Sequence, residues 1–448
     1  MNGNALSMDV KMEWKNNEEM KKRERSGVIY QILMSLSANV VVLGPAMGFG
    51  YSAVALGPLM SPSSDVKIDF NQANWIGLAS VPTTVYSGEI ANVKWRGTMV
   101  TWTGISIALA LLIVYVFGCI FKDDWRMIAL MCAIFPIISI ALILLVLPES
   151  PIWLRERGRL DEALETLKKF RGIPKDDPVT MDILLELKPR NQQGNNNKKL
   201  LKNVFKRNAL IPFIIMLMYF LFQQFSGIFV MIYYAIDIVR SAGITLDPYL
   251  GAVFIGLARL FGSILIAIFS SKHGRRIPSI ISGSGMTIFM ILLSIYLFVI
   301  DKGYVINDNG VIPAICIVMY IFLSTLGFLS IPFAMIGEIY PSKVKDLFSG
   351  LTTCITYIFS SITVKTYPNM LSYMGKHGVF FFYAIVSLAG TIFILLFLPE
   401  TKGKSLNEIE DMFGKKKNEN ISKINDTIVI FSNDIENISV ENDEKSKT

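Results

Sequence analysis

The chain has 448 residues, of which 52% are hydrophobic and only 18% charged, with a mean hydropathy of +0.47. A soluble globular domain carries about 25% charge, so the composition excludes an ordinary soluble enzyme or binding module. The net charge of +7 is a matter of where the bases fall and does not point to nucleic acid.

Charge-free runs of about 18 or more residues can cross roughly 30 Å of hydrocarbon as helices, and they recur along the sequence. A basic tail at 1–28, with Lys21, Lys22, Arg23 and Arg25, precedes a first span, Ile29–Met60. Ala73–Ile90, Thr98–Gly118 and Met127–Leu147 complete a first bundle over 29–147. Ala73–Ile90 is short and contains Pro82, which removes a backbone hydrogen bond, and it is expected to be the weakest span. A cytosolic loop at 148–207 follows, with a soluble helix predicted from the spacing of Leu160, Ala163, Leu164 and Leu167.

A second bundle over 208–403 holds six more spans: Ala209–Ile236, Leu250–Ser270, Pro278–Ile300, Val311–Ile336, Gly350–Val364 and Val379–Leu398. Residues 404–448 are rich in Lys, Asn and Asp and are expected to be a disordered cytosolic tail. The Asn-x-Ser/Thr sequences at Asn420, Asn425 and Asn437 are read there as chance.

Ile152–Arg207 holds 14 Lys or Arg against 8 Asp or Glu, whereas the alternate connections are short and on balance acidic. Positive charge on every second connection is the positive-inside pattern. It predicts cytosolic termini, in agreement with an even number of spans. A long polar tail precedes the first apolar run, so no cleavable signal peptide is expected. Cys119, Cys132, Cys316 and Cys354 form no metal or disulfide pattern, and His273 and His377 are isolated. No nucleophile–base pair, metal constellation or phosphate-binding loop is present to predict an enzyme, a cofactor or ATP coupling.

An internal repeat gives the most information. Gly88-Glu89-Ile90 recurs as Gly337-Glu338-Ile339, and each Glu precedes a base by seven residues, Arg96 and Lys345. Leu147-Pro148-Glu149-Ser150 recurs as Leu398-Pro399-Glu400-Thr401, 60 and 62 residues beyond the respective Glu. The halves are unequal. The charge-free region opens 131 residues before Glu338 but 64 before Glu89, a shortfall of 67 residues, or about two helices at ~20 residues per span. The second half also carries Gly274-Arg275-Arg276, which has no counterpart near Asn92. Ala73–Ile90 then reads as two helix fragments joined at Ser80–Val81.

With Gly48-Phe49-Gly50-Tyr51-Ser52, Arg96-Gly97, Pro148-Glu149-Ser150-Pro151, Gln223-Gln224-Phe225-Ser226-Gly227, Gly274-Arg275-Arg276 and Pro399-Glu400-Thr401-Lys402-Gly403, the chain resembles the sugar porter family of the major facilitator superfamily, and within it the insect facilitated trehalose transporters. The resemblance covers roughly Ile29–Glu410 and rests on the order of these motifs. It implies an all-α membrane protein of two pseudo-repeat bundles, with about ten spans here where the family has twelve. It also implies a plasma-membrane carrier whose partners are a small sugar and the lipid bilayer. No oligomeric state is read from it.

The resemblance implies solute contacts from Gln223, Gln224 and Ser226, whose amides and hydroxyl suit vicinal sugar hydroxyls; hydrogen bonding between helices is the competing reading. The family's sugar-contacting Asn is Phe229 here, and its Trp after Pro332 is Phe333. Tyr233 and Tyr234 are candidates for stacking on the sugar or for an outer gate, against a place in an interfacial aromatic belt. Gly327 and Pro332 are expected to break their span. Glu89, Arg96, Glu149, Arg275, Arg276, Glu338, Lys345 and Glu400 are implied to form a charge network that makes and breaks as the halves rock. Ile29–Met60 contains no Asp or Glu, unlike proton-coupled members, so the expectation is facilitated diffusion of trehalose or a hexose. The alternative is a transport-incompetent truncated variant, a splice form or gene-model artefact with at most a regulatory role.

Overall fold

The computed structural model describes residues 3–59, 86, 90, 93–122, 124–174, 204, 206–304, 308–341, 344–402, 408 and 412–413. The basic tail and the first predicted span form one helix, α1, Gly3–Leu59. Next come α2 (Val93–Phe121) and α3 (Trp125–Leu145). Asp124 caps α3 by accepting from the Met127 N–H at 3.1 Å.

The loop helix is present as α5 (Leu160–Arg171), preceded by α4 (Pro151–Glu156). Asp161 and Glu162 in the first turn of α5 and Lys168, Lys169 and Arg171 in its last suit the helix dipole. Phe170 is fully buried against α1: its ring lies 5.3 Å from that of Tyr30, and its carbonyl accepts from Gln31 Nε2 at 2.6 Å.

The next predicted span is broken into α6 (Arg207–Phe225), α7 (Ile228–Tyr233) and α8 (Ala235–Ser241). Then come α9 (Pro248–His273) and α10 (Arg276–Asp301). The expected break at Gly327 and Pro332 separates α11 (Val311–Leu326) from α12 (Ile331–Ile339). The last helix, α13 (Lys345–Phe397), is longer than predicted. Lys365 and Pro368 ended the charge-free run in the sequence, but the helix passes through both and departs from helical geometry only at Gly375 (φ 68°, ψ 175°).

Among the described residues eight helical stretches are long and apolar enough to cross a membrane. The last, at 51 residues, has the length of two crossings. Ala73–Ile90 and the Ser80–Val81 junction lie outside the described residues, except for residues 86 and 90. The chain is an integral membrane protein, and its described part contains no strand.

The helices place apolar side chains on both faces, one against neighbouring helices and one outward, as a lipid-bathed bundle requires. α1 packs on α2 and α3, α2 on α9, α9 on α11, α10 on α11 and α13, and α6 on α13. α1 also touches α7 and α8. The two bundles therefore meet along α2 and α9 and at the broken segment after α6, where Tyr115 of α2 donates to the Ile232 carbonyl of α7 at 2.9 Å.

Candidate functional site

The centre of the site is the pair of helix breaks. Gly227 holds φ +89°, and a Cβ there would lie 2.5 Å from the Tyr383 ring, so only glycine fits this turn. The chain kinks after Phe225, and the Ser226 carbonyl accepts from the Tyr320 hydroxyl at 2.8 Å. At the second break Gln223 Nε2 donates to the carbonyls of Phe328 (2.6 Å) and Leu329 (3.1 Å). The Phe328 N–H donates to Ser282 Oγ at 2.9 Å. The backbone groups freed by the interruption are thus satisfied by side chains, which is what allows irregular backbone at membrane depth.

The predicted solute residues divide by what holds them. Gln223 and Gln224 are fully buried. Gln224 Nε2 donates to Gln223 Oε1 at 3.1 Å, while Gln224 Oε1 has no hydrogen-bond partner. Ser226 is buried, and its hydroxyl is turned back onto the Gln223 carbonyl at 2.7 Å. Phe229, Tyr233 and Tyr234 are buried along α7 and its end. The Tyr234 ring lies 4.8 Å from that of Tyr367, and its hydroxyl is 3.5 Å from the Val364 carbonyl. Phe333 is 37% exposed and meets Phe220 edge-on at 5.0 Å.

Three aromatic residues at this centre escaped the sequence reading: Tyr320, Tyr367 and Tyr383. The Tyr383 hydroxyl is buried without a hydrogen-bond partner. For Tyr320 and Tyr383 the signal available in the sequence was a single phenol inside an otherwise apolar run, and a buried phenol usually finds a polar use. Together the breaks gather an unmatched amide acceptor, an unmatched phenol and several ring faces. That set can hydrogen-bond and stack a neutral polyol. Among the described residues no group of His, Cys, Asp or Glu could hold a metal ion.

A second cluster sits at one end of the bundle. Arg275 grips Glu338 with two bonds, Nη2 to Oε1 at 2.6 Å and Nε to Oε2 at 3.3 Å. Thr401 Oγ1 adds a third bond to Glu338 at 3.1 Å. Glu400 accepts from the backbone N–H groups of Arg275, Arg276 and Lys402 at 3.0–3.1 Å. Burial works against its charge, but the surrounding N–H donors outweigh burial and hold its pKa below the ordinary carboxylate value.

Arg276 donates to the Leu395 carbonyl. Lys345 donates to the Gly337 carbonyl, while the carboxylate of Glu338 is held by Arg275. The structure therefore brings together Arg275, Arg276, Glu338 and Glu400, all of the second half. Glu149 is exposed. Glu89 and the side chain of Arg96 lie outside the described residues.

The profile of a family described as sugar (and other) transporter matches residues 74–413. The facilitated trehalose transporter Tret1 of Drosophila pseudoobscura pseudoobscura is 30% identical over 376 residues, covering 84% of this chain and 43% of that protein. The Tret1-2 homolog of Drosophila sechellia is 31% identical over 336 residues, covering 75% of this chain and 68% of that protein. The chain thus spans less than half the length of the first of these relatives. Among solved structures, the xylose transporter XylE from E. coli in a partially occluded inward-open conformation matches with a TM-score of 0.59 at 22% identity, covering 85% of this chain and 87% of that one. XylE, a major facilitator superfamily proton:xylose symporter, bound to 6-bromo-6-deoxy-D-glucose matches with a TM-score of 0.59 at 21% identity, covering 88% of each chain.

Proposed function

The chain belongs to the sugar (and other) transporter family and has the major facilitator fold, and from that premise we propose that it carries trehalose or a hexose across the plasma membrane by facilitated diffusion. Both termini and the loop at 148–207 lie in the cytosol in this reading, and the bundles rock about the Gln223–Gln224 centre without ion or ATP coupling. The observation that carries it is the fully buried Gln pair at two interrupted helices, with Gln224 Oε1 left unmatched. Glutamine amides suit neutral hydroxyls, and polar groups at membrane depth mark a solute path. The lack of any Asp or Glu in Ile29–Met60 supports uncoupled transport.

A second reading is a transport-incompetent short form, and α3 favours it. The repeat makes α3 the counterpart of the end of α13, which α10 covers. The first-half counterpart of α10 falls within the 67-residue shortfall. Accordingly Ile137, Leu144 and Leu145 of α3 are 67%, 77% and 84% exposed. Uptake of radiolabelled trehalose and glucose in oocytes separates the readings, with this chain compared against one carrying a restored two-helix insert. Uptake by the chain as it stands supports the carrier. Uptake only after restoration overturns it for this chain, and uptake that follows an imposed proton gradient overturns the uncoupled mechanism.

A further inference from the structure

α9 carries a buried positive charge that the sugar reading does not use. Its outward face is Phe254, Leu257, Phe261, Ile264 and Ile268, each 41–60% exposed. Its inward stripe runs through Ala252, Ile255, Gly256, Arg259, Gly262, Ser263 and Ile266, with helical spacing. Arg259 is in the middle of that stripe and 8% exposed. At a rise of about 1.5 Å per residue it stands about 17 Å from the Pro248 end of the helix and about 21 Å from the His273 end. That depth and direction rule out a side chain reaching back to the membrane surface, the usual fate of a basic residue in a span.

The glycines one turn to either side bring neighbours in close. A Cβ at Gly256 would meet the Leu112 backbone and the Tyr115 ring at 3.1 Å, and one at Gly262 would meet Thr325 at 3.0 Å. Arg259 is therefore enclosed by protein, yet its Nη1 has no hydrogen-bond partner. Among the described residues no carboxylate forms an ion pair with it. An arginine stays charged at neutral pH, and an unpaired buried charge is strongly unfavourable. Tyr115, close enough to interact electrostatically with Arg259, commits its proton to the Ile232 carbonyl of α7. The charge thus adjoins the broken segment that follows Gln223 and Gln224.

We propose that Arg259 binds a carboxylate in the solute path, carried either on a sugar acid or by a small free anion. The guanidinium presents Nη1–H to a carboxylate oxygen, which gives that buried nitrogen a partner and neutralises the charge. This rests on the carrier reading for the route of access, but the binding itself does not require transport. The test uses the full chain purified in detergent, with equilibrium binding of glucuronate, glucose and acetate to the wild type, Arg259→Gln and Arg259→Lys.

The expected result is wild-type affinity for glucuronate at least about tenfold above that for glucose, with acetate competing if the anion is free rather than sugar-borne. Arg259→Gln should abolish the preference and leave glucose binding unchanged, and Arg259→Lys should keep part of it. If Arg259→Gln does not fold, a glucuronate preference that is reduced but not lost in Arg259→Lys supports the site, and one undiminished in Arg259→Lys overturns it. Equal binding of glucuronate and glucose by the wild type overturns the proposal, as does a preference undiminished in Arg259→Gln. Glucuronate binding without uptake of any sugar would remove the carrier reading and leave this one standing.

Discussion

Gln223 Nε2 lies 2.6 Å from the carbonyl oxygen of Phe328, joining the break after α6 to the break between α11 and α12. The same amide reaches the Leu329 carbonyl at 3.1 Å. Gln223→Leu leaves both buried carbonyls without this donor, and each such loss costs about 1–3 kcal/mol. A clear drop in melting temperature in detergent is expected, independent of any sugar. An unchanged melting temperature would mean that the amide does not hold the breaks together.

Gln224 should behave in the opposite way. Its Oε1 is already buried without a partner, so that desolvation cost is present in the native protein. Gln224→Leu removes this cost along with one bond to Gln223, and stability should stay within about 1 kcal/mol of wild type. Binding of radiolabelled glucose should nevertheless fall sharply. Glucose binding equal to wild type would exclude Gln224 from the solute site.

Gly274 and Gly337 make a matched pair. Gly274 holds φ +82°, and an added Cβ would sit 2.5 Å from Glu400 Oε2. Gly337 is helical, with nothing within 4 Å of an added Cβ. Gly274→Ala should therefore destabilise by about 1–3 kcal/mol, whereas Gly337→Ala should be neutral or slightly stabilising. Melting temperatures of the two variants check this. Equal effects would mean that the Glu400 cradle is not tight.

Most of the described spans were legible because lipid imposes one rule on a crossing helix, a long run without charge, although the last helix runs on through Lys365. The break at Gly327 was legible from glycine and proline. The break at Gly227 was not, because there the kink depends on a ring, Tyr383, more than 150 residues away in sequence. The motif residues Gln223 and Gln224 were recognisable, but the sequence could not show that Gln223 spends its donors on backbone while Gln224 keeps an acceptor free. The charge motifs were visible as a repeat, yet the seven-residue spacing of Glu338 and Lys345 did not make a pair. Arg275 arrives from another helix turn with a bidentate geometry that a lysine cannot match.

Lys122 and Asp247 meet at 2.7 Å, linking the turn after α2 to the start of α9. Their side chains are 57% and 34% exposed, and such a pair is worth roughly 0–1 kcal/mol. Asp247 has a second task, accepting from the Tyr249 N–H at 3.0 Å as the cap of α9. Lys122→Ala should cost little, and the loss should vanish in high salt. Asp247→Ala should cost a further 0.5–2 kcal/mol or so that salt does not remove. Melting in low and high salt measures both, and equal melting temperatures of the two variants in high salt would show that the cap contributes nothing.

Glu400 makes the protein sensitive to acid. Its carboxylate is partly buried, which alone would raise its pKa, but the N–H donors of Lys402, Arg275, Arg276 and Thr401 bring it below the ordinary 4.5. The folded state therefore holds fewer protons than the unfolded state as pH falls past that ordinary value. Stability contributed by Glu400 is complete above the unfolded pKa and is lost as pH falls through the lower, folded one. Because the group is partly exposed, solvent screening reduces the effect. Wild-type melting temperature should decline as pH falls below the ordinary carboxylate value. Glu400→Gln cannot ionise and accepts more weakly from the Arg275 and Arg276 backbone. It should start lower at neutral pH and decline less with acid, so that the two curves converge. Parallel curves would show that other carboxylates govern acid unfolding and that the turn between α9 and α10 does not depend on the charge of Glu400.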